Sequence, residues 1–310
     1  MKFLRNYEIR IKTPGKIISS NPNGTYNYDK SGQLITIAPP VSVQFDIERA
    51  VMATQNNASV TLYNLAPSTQ NKIYKDKFMF TQYWQMFILA GYGEKDLYEV
   101  FRGNIVEAFS YKQGTEWITK IEANDGAFAI QNGFVNETVT KDINLKDMIL
   151  RVVHTMPETL AGIMGSPTNA KQPSRGQTLI GPSFDVAQSL VGGKGYIDGE
   201  TYNVLADDEI IADGNIPVLD SDNLFESPKR RDTYLEVTTL LMPEIRINYA
   251  VELRSKITRY NGQYKVLGIK HSATISQESA GDASSMISLF AGSAPFLEVK
   301  AGNTSRRSLD

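Results

Sequence analysis

Alternation of polar and apolar residues along the first third of the chain predicts β-strands. The alternation is clear in four segments, at residues 7–12, 34–37, 41–47 and 58–65. In such segments successive side chains face opposite sides of a sheet, so that one face packs on a core. Strand-like runs between residues 84 and 123 complete a predicted barrel or sandwich, which ends at Asn124-Asp125-Gly126.

Residues that form turns or cap helices separate these predicted strands. Asn21-Pro22-Asn23-Gly24-Thr25 and Ser31-Gly32 indicate an exposed hairpin or loop. Ala66-Pro67-Ser68-Thr69 ends the strand at residues 58–65, and we expect Ser68 to cap a short helix that runs to Tyr74. We therefore interpret residues 1–133 as a first β-barrel domain.

The middle of the chain changes to a helical period. From Asn144 onward apolar residues recur at spacings of three and four, at Leu145, Met148, Ile149, Val152, Val153 and Met156. This spacing predicts an amphipathic helix capped by Asn144 and stopped by Pro157. We expect Ser183 to cap a second helix through Val191, and Asp198-Gly199 to form a hairpin turn. Residues 134–228 are thus predicted to form a small α+β domain.

The β-pattern returns at Tyr234 and continues to about Val299. It contains an internal echo of the first domain, because a Tyr-x-Val strand that meets a glycine and an isoleucine occurs at both Tyr98–Ile105 and Tyr264–Ile269. The fold class is therefore predicted as mainly β, with two similar β-barrel domains, residues 1–133 and 229–300, flanking the α+β domain. Residues 301–310 are polar and aperiodic, which predicts a flexible tail.

Composition excludes several classes of function. The 310 residues include no cysteine, which rules out disulfides, thiolate nucleophiles and cysteine-ligated zinc. The chain has 32 basic and 34 acidic side chains, and its basic residues form no cluster. We therefore expect no specific nucleic-acid binding. No run approaches the roughly 18 apolar residues of a membrane span, and residues 1–8 lack the apolar core of a signal peptide. We expect a soluble protein without membrane insertion.

Candidate catalytic and metal-binding motifs each fail a specific requirement. His154 and His271 are the only histidines, and neither has neighbours at the spacing of metal ligands. Gly192-Gly193-Lys194-Gly195 lacks the Ser or Thr that follows the lysine of a phosphate-binding loop, and it comes after a helix instead of before one. The acidic stretch from Asp207 to Asp222 does not fit a calcium loop, since the sixth residue from Asp220 is Phe225. We therefore predict no catalytic, cofactor-binding or metal-binding residue.

Several short sequence segments, in their order along the chain, resemble the baseplate hub family of contractile-tailed bacteriophages. The first block runs from Phe45-Asp46-Ile47-Glu48-Arg49 through Leu89-Ala90-Gly91-Tyr92 to Phe101-Arg102-Gly103-Asn104-Ile105, and is similar to the first tube-like barrel of such hubs. The second block runs from Leu240 to His271 and resembles the second barrel. The residues that carry the structural motif are Asn64, Gly91, Tyr98, Gly103, Asn261, Gly262, Tyr264 and Gly268.

The resemblance implies a structural, non-enzymatic virion protein of the tail baseplate, assembled in the host cytoplasm. It implies a homotrimer whose paired barrels adapt the sixfold tail tube to the threefold central spike. Its expected partners are the tube protein, the spike protein and other baseplate proteins, and the genome can pass through the lumen of such a ring. Alternatives are a tail-tube terminator or distal tail ring, a wall-degrading tail enzyme, and a carbohydrate-binding module that uses the chain's tyrosines.

Overall fold

The computed structural model describes residues 4–20, 26–28, 32–51, 55–79, 82–93, 96–169, 175–214, 216–276, 281–290 and 296–300. The core of the predicted loop at Asn21–Thr25 and the predicted flexible tail at residues 301–310 lie outside these ranges. Within the described ranges the chain is mainly β with a smaller helical part, which confirms the predicted fold class at that level.

The first third of the chain is built almost entirely from strands. Its elements are β1 (Arg5–Lys12), β2 (Ile17–Ser20), β3 (Tyr26–Tyr28), β4 (Leu34–Ile37), β5 (Ser42–Ala50), β6 (Asn57–Tyr63), α1 (Pro67–Gln70), β7 (Gln85–Tyr92), β8 (Asp96–Gln113), β9 (Glu116–Asn124) and α2 (Ala127–Asn132). In β5 and β6 buried residues alternate with exposed or half-buried ones, as the sequence pattern predicts.

The middle third mixes helices with short strands. Its elements are β10 (Phe134–Val139), α3 (Leu145–His154), β11 (Leu160–Met164), a 3₁₀ turn (Ser166–Asn169), β12 (Gln177–Pro182), α4 (Ser183–Leu190), β13 (Gly195–Ile197), β14 (Thr201–Val204), β15 (Glu209–Ala212) and β16 (Val218–Leu219). β13 and β14 pair antiparallel around the predicted Asp198-Gly199 turn. The turn of this hairpin faces the large sheet, where it contacts Asp125 at the end of β9.

The last third returns to strands at Tyr234, where the sequence pattern predicts it. Its elements are β17 (Lys229–Arg230), β18 (Tyr234–Leu240), β19 (Ala250–Leu253), a 3₁₀ turn (Thr258–Tyr260), β20 (Gly262–Ile275), β21 (Ala283–Phe290) and β22 (Leu297–Lys300). β22 leaves the group and pairs in parallel with β15 of the middle third.

The expectation of two separate closed barrels is not met in the described residues. Instead, one sheet of thirteen strands runs in the order β17-β18-β21-β20-β5-β6-β9-β8-β7-β1-β4, with β19 and β16 attached beside β20. The join is the antiparallel pairing of β20 with β5, in which His271 lies opposite Ile47. β20 pairs with β21 along one edge and with β5 along the other. The first and last thirds of the chain therefore share one sheet. In two closed barrels, each barrel would instead pair its edge strands with each other.

The two longest strands of the sheet are paired in a similar way. β8 pairs with the preceding strand β7 over residues 96–104 and with the following strand β9 over residues 104–113. β20 pairs with the preceding strand β19 over residues 262–265 and with the following strand β21 over residues 266–273. Each strand also carries a bulge, where one pairing register shifts by a residue, near its Tyr-x-Val sequence. That the two segments occupy equivalent places in two superposable modules stays a prediction.

Local capping signals were partly misleading. The Asn144 side chain caps α3 by accepting a hydrogen bond from the Asp147 N–H at 2.7 Å, as predicted. Ser68 caps nothing, because α1 begins one residue earlier at Pro67, and Ala66 holds the N-cap position. Ser183 is the first residue of α4, and its hydroxyl is instead buried and hydrogen-bonded to the hydroxyl of Thr155 at 2.6 Å. In α1 the helix starts at Pro67, whose fixed φ suits the first turn. In α4 Pro182 holds the N-cap position, so Ser183 is the first helical residue.

Three hydrophobic clusters hold the fold together. The first lies under the strands of the first third and includes Tyr7, Phe45 and Ile88. The second lies between α3, α4 and the short strands of the middle third. The third lies under β18 to β21 and also takes in Leu205, Ile211 and Leu219 from the middle third. These clusters do not test the predicted domain boundaries at residues 133 and 228, which stay predictions.

Candidate functional site

The turn between β13 and β14 is fastened to the large sheet by a group of buried and half-buried polar residues, which we call the junction: Arg49, Asn56, Asp125, Asp198 and Glu200. Asp125 follows the end of β9, and its two carboxylate oxygens accept the backbone N–H groups of Gly199 at 2.6 Å and Glu200 at 2.8 Å. Glu200 has a positive φ of 59° and directly precedes β14, so the chain reverses direction at this residue. The junction therefore fixes the backbone of the turn as well as its side chains.

A bidentate ion pair anchors the same turn to β5. The Arg49 guanidinium donates to both carboxylate oxygens of Asp198, at 2.7 and 2.8 Å, and to the Val100 carbonyl at 3.1 Å. Arg49 is on the inward face of β5, following Phe45 and Ile47 at alternate positions. Such forked pairs fix orientation as well as distance, because the guanidinium plane matches that of the carboxylate.

Asn56 links the two carboxylates of the junction. Its amide nitrogen donates to the Ile197 carbonyl at 3.1 Å and approaches an Asp198 oxygen at 3.3 Å and an Asp125 oxygen at 3.5 Å. Its amide oxygen accepts the Ala50 N–H at 3.0 Å. A single buried side chain thus connects β5, β9 and the hairpin turn.

Glu200 reaches in the other direction, toward the segment that leads into β7. Its carboxylate accepts hydrogen bonds from the Tyr83 hydroxyl at 2.7 Å, the Asn104 amide at 2.9 Å and the Gln85 amide. Burial raises the pKa of Glu200, and these three donors act against that rise by stabilising the charged form. Asn104 in turn accepts the Phe128 N–H at 3.0 Å, which extends the network to α2.

Asp125 is a second junction acid with a raised pKa. Burial, reinforced by the negative charge of Asp198, raises the pKa of Asp125 from 3.8 to about 8. The N–H groups of Gly199 and Glu200 oppose this rise. Three acidic side chains therefore lie near the Arg49 guanidinium in a largely buried space, and the raised pKa favours the neutral form of Asp125 near neutral pH.

A cleft of about 520 Å³ opens above the junction, where the three parts of the chain meet. Arg49, Tyr98 and Arg102 come from the first third, Leu160 and Tyr196 from the middle, and Arg246 and Tyr249 from the last. Five carboxylates and three guanidinium groups line the cleft, so its wall has a net negative charge. Its size lies within the range of about 300–1,000 Å³ that is typical of ligand sites.

The acidic side chains of the junction are hydrogen-bonded within the protein. The carboxylates of Asp125 and Glu200 accept hydrogen bonds from N–H and O–H donors of the protein itself. Among the described residues, no group of three or more His, Asp or Glu side chains is placed to bind a metal ion. None of the helices in the described ranges has the length and apolar character needed to cross a bilayer.

The predicted motif residues of the first block have structural roles on and around β8. Asn64 has a positive φ of 54°, and its side chain accepts the Trp117 N–H at 3.0 Å, which ties the end of β6 to β9. Gly91 lies opposite Leu97, where a Cβ atom would come within 1.8 Å of the Asp96 carbonyl oxygen. At Gly103 a Cβ atom would come within 2.9 Å of the Asn124 oxygen. Of the four, only Tyr98 lines the cleft.

The motif residues of the second block lie on and just before β20, away from the cleft. The Asn261 side chain accepts the Ser255 N–H at 2.7 Å, and the Tyr264 hydroxyl donates to the Tyr260 carbonyl at 2.9 Å. Gly262 begins β20 with a φ of +148°. Gly268 faces the end of β5, where a Cβ atom would meet the Arg49 oxygen at 3.4 Å. The eight motif residues therefore do not converge on one site.

The remaining sequence candidates are structural as well. His154 is exposed on α3, whereas His271 is fully buried and hydrogen-bonded through Nδ1 to the Ser285 hydroxyl at 2.8 Å. Lys194, from the rejected phosphate-loop motif, pairs with Asp207 at 2.7 Å.

Sequence reasoning missed the junction because its members are far apart in the chain. Asp125 and Asp198 each stand in a turn sequence, Asn124-Asp125-Gly126 and Asp198-Gly199, which explains them locally without any partner. One signal was available: Arg49 continues the inward alternation of Phe45 and Ile47, and a charge at an inward position requires a buried partner.

Solved structures with the same fold come from phage tails and a related secretion machine. The 43 kDa tail protein of prophage MuSo2 from Shewanella oneidensis is 11% identical, with a TM-score of 0.57, and the alignment covers 91% of this chain and 96% of that one. A tail protein from Neisseria meningitidis MC58 is 8% identical, with a TM-score of 0.57 and coverages of 92% and 96%. The E. coli c3393 protein, a type VI secretion component described as similar to T4 tail proteins gp27 and gp5, is 8% identical, with a TM-score of 0.50 and coverages of 82% and 74%.

At these identities the likeness shows the fold alone. None of the curated proteins compared with the chain matches it. The family model described as baseplate hub gp41 matches residues 25–278, well over half of the chain and including both long strands. The chain belongs to the baseplate hub gp41 family.

Proposed function

We propose that this chain is a structural, non-enzymatic hub protein of a contractile tail baseplate. In this proposal it acts as a homotrimer that adapts the sixfold tail tube to the threefold central spike. The observation that carries the proposal is the match of the baseplate hub model to residues 25–278. Membership of that family supports a location in the baseplate of the virion tail, in contact with other tail proteins.

The open edges of the large sheet support a closed assembly. The sheet order ends in β4 on one side and in β17 on the other. Unpaired edge strands invite uncontrolled pairing, and a ring of identical subunits covers them with defined partners. The similar pairing of β8 and β20 supports the idea that each subunit has two related β-modules, in which case three chains would present six of them.

The junction supports a load-carrying role in place of an enzymatic one. It connects the middle third to β5, β8, β9 and the segment leading into β7. Among the described residues this connection has ten hydrogen bonds or ion-pair contacts of 3.3 Å or less, at Arg49, Asn56, Asp125 and Glu200. A subunit that transmits force between tube and spike needs its parts held at fixed angles. Catalytic sites, by contrast, need unsatisfied groups aimed at a substrate.

The proposal is tested by the symmetry of the assembled protein. We expect native mass spectrometry of the purified chain, alone or with its tube and spike proteins, to give a mass of three copies. We expect electron-microscopy class averages to show a ring with threefold symmetry and six similar lobes. A monomer at high concentration, or a ring without threefold symmetry in the presence of both partners, would overturn the proposal.

A separate assay addresses the enzymatic alternative. We expect the purified protein to release no soluble fragments from peptidoglycan. Lytic activity that disappears on replacing a single glutamate would establish a wall-degrading enzyme and overturn the non-enzymatic part of the proposal.

A further inference from the structure

A buried lysine lies where the segment after α1 meets β8. Lys75 is 7% exposed, and its backbone N–H and C=O pair with Ala108 of β8, each at 2.9 Å. The Lys75 ammonium donates a hydrogen bond to the Ile105 carbonyl, and it forms no ion pair with a carboxylate of the described residues. Because an ammonium group has three N–H donors, the described part of the chain compensates the charge of Lys75 only in part.

This charge persists at neutral pH. Burial lowers the pKa of Lys75 from 10.5 to about 8, so most Lys75 side chains keep their proton at pH 7. A buried cation without a paired anion is costly, because the protein interior solvates a charge less well than water does. A small anion beside the ammonium would remove this cost.

A cavity beside Lys75 has the size and the donors for such an ion. Its volume is about 10 Å³, which is room for one water-sized species and too little for a phosphate or sulfate. Lys77, Gln82 and Gln131 also line this cavity, and among the described residues no Asp or Glu does. The Gln82 amide oxygen accepts the Trp84 Nε1–H at 3.0 Å, which leaves the Gln82 amide nitrogen available as a second donor.

The cavity lies where three elements of the fold meet. The pairing of β8 with β9 shifts between Ile105 and Glu107, so Val106 has no opposite residue in β9 and forms a bulge that lines the cavity. Ala127 and Phe128, at the start of α2, line it from another side. Bulges disrupt the regular ladder of a sheet locally, which accounts for a space at this point of β8.

We propose that this cavity binds one small monovalent anion of the halide type, held by the Lys75 ammonium with the Gln82 amide as a second donor. The ion balances the charge of Lys75 and joins the segment after α1 to the bulge of β8 and to α2. A water molecule in the same place would leave that charge unbalanced. A lining with two lysines and, among the described residues, no carboxylate therefore favours the anion.

Stability in chloride compared with stability in gluconate tests the proposal, because gluconate is too large for the cavity. The ionic strength is held constant at pH 7, which keeps general screening equal. We expect the urea midpoint of the full chain to rise as chloride replaces gluconate, and to level off when the site is full.

Two variants make this measurement specific to the site. Lys75→Met removes the charge and keeps a long side chain, so its urea midpoint should not respond to chloride. The matched control is Lys72→Met, which removes an exposed lysine of the same segment and should keep the full response.

Bromide locates the ion directly, because its anomalous X-ray scattering distinguishes it from water. In bromide-soaked crystals of the unmodified protein we expect an anomalous peak in contact with Lys75 Nζ. This measurement needs no variant, so it decides the question even where Lys75→Met does not fold.

Three results would overturn the proposal. The first is an equal midpoint in chloride and gluconate for the unmodified protein. The second is a chloride response of Lys75→Met as large as that of the unmodified protein, because the ion would then bind elsewhere. The third is anomalous density at exposed positions only, which would show adventitious ions. None of these readouts depends on a trimer or on a baseplate, so their failure would leave the hub proposal standing.

Discussion

At the residue scale, Arg49 is the side chain on which the attachment of the middle third depends most. It is nearly buried, and among the described residues its ion-pair partner is Asp198. Removing one partner of such a pair leaves the other charge in a poorly solvated place, which typically costs about 3–5 kcal/mol. Asp198 keeps some solvent contact, with 22% of its side chain exposed, so we expect Arg49→Met to cost about 3 kcal/mol.

Urea denaturation of the purified protein measures this cost. The matched control is Arg151→Met, which removes the pair of Arg151 with Glu137 on the surface of the middle third. Exposed pairs contribute about 0–1 kcal/mol, so the control should stay within that range. Equal losses of stability for the two variants would contradict the importance given to the junction.

His271 makes a pH-dependent contribution with a defined sign. Burial, reinforced by the positive charge of Arg49, lowers the pKa of His271 from 6.5 to about 3. As pH falls from about 6.5 to about 3, the unfolded chain binds a proton at this imidazole and the folded chain does not. The contribution to the free energy of unfolding is therefore present above pH 6.5 and is lost over this window.

The corresponding variant is His271→Leu, measured by urea denaturation at several pH values. We expect its free energy of unfolding to fall less steeply between pH 6.5 and 3 than that of the unmodified protein. His154→Leu is the control, because His154 is exposed on α3, and it should keep the original slope. Parallel slopes for His271→Leu and the unmodified protein would show that His271 takes up its proton while folded.

At the element scale, the features that the sequence predicts well depend on residues close together in the chain. α3 is an example, since the Asn144 cap and the apolar stripe from Leu145 to Met156 lie within thirteen residues. The pairing of β5 with β20 is the opposite case, because Ile47 and His271 meet across more than two hundred residues. Both strands show the alternating pattern, but alternation specifies a buried face and not a neighbour.

Two glycines of the internal echo allow a direct comparison of its two halves. At Gly103 a Cβ atom would lie 2.8 Å from a ring carbon of Phe101 and 2.9 Å from the backbone at Asn124 and Asp125. Gly103→Ala should therefore cost about 1–3 kcal/mol, as overpacking does. At Gly268 the nearest atom would be 3.4 Å away, so Gly268→Ala should change stability by less than about 1 kcal/mol.

Thermal or urea denaturation of the two variants checks this contrast, with each glycine serving as the other's control. Equal costs would indicate that the two glycines stand in equivalent packing environments. Such a result would indicate that the two β-modules resemble each other more closely than the Cβ distances at Gly103 and Gly268 suggest.

At the scale of the whole molecule, the sheet and the hydrophobic clusters divide the chain differently. The sheet joins the first and last thirds through β5 and β20, and it leaves the middle third outside except for β16. The second cluster contains no buried residue beyond Val204, whereas Leu205, Ile211 and Leu219 belong to the third. The change to a helical period predicts a separate middle part. Its limits depend on which core each strand joins, and tertiary contacts decide that.

This division leads to a prediction about isolated fragments. A fragment of residues 127–206 contains the second cluster together with α3, α4 and the β13–β14 hairpin. In this fragment Asp198 and Glu200 lose their partners in the sheet, but they become exposed to water, which solvates their charges. We therefore expect the fragment to fold on its own, with a cooperative thermal transition in circular dichroism and dispersed amide signals in NMR.

The longer fragment 134–228 should be no more stable than fragment 127–206. It should also be more sensitive to proteolysis after residue 205, because its added residues have lost their contacts with the rest of the third cluster. An unfolded 127–206 fragment beside a folded 134–228 fragment would instead support the boundary at residue 228, and would mean that residues 205–219 stabilise the middle part directly.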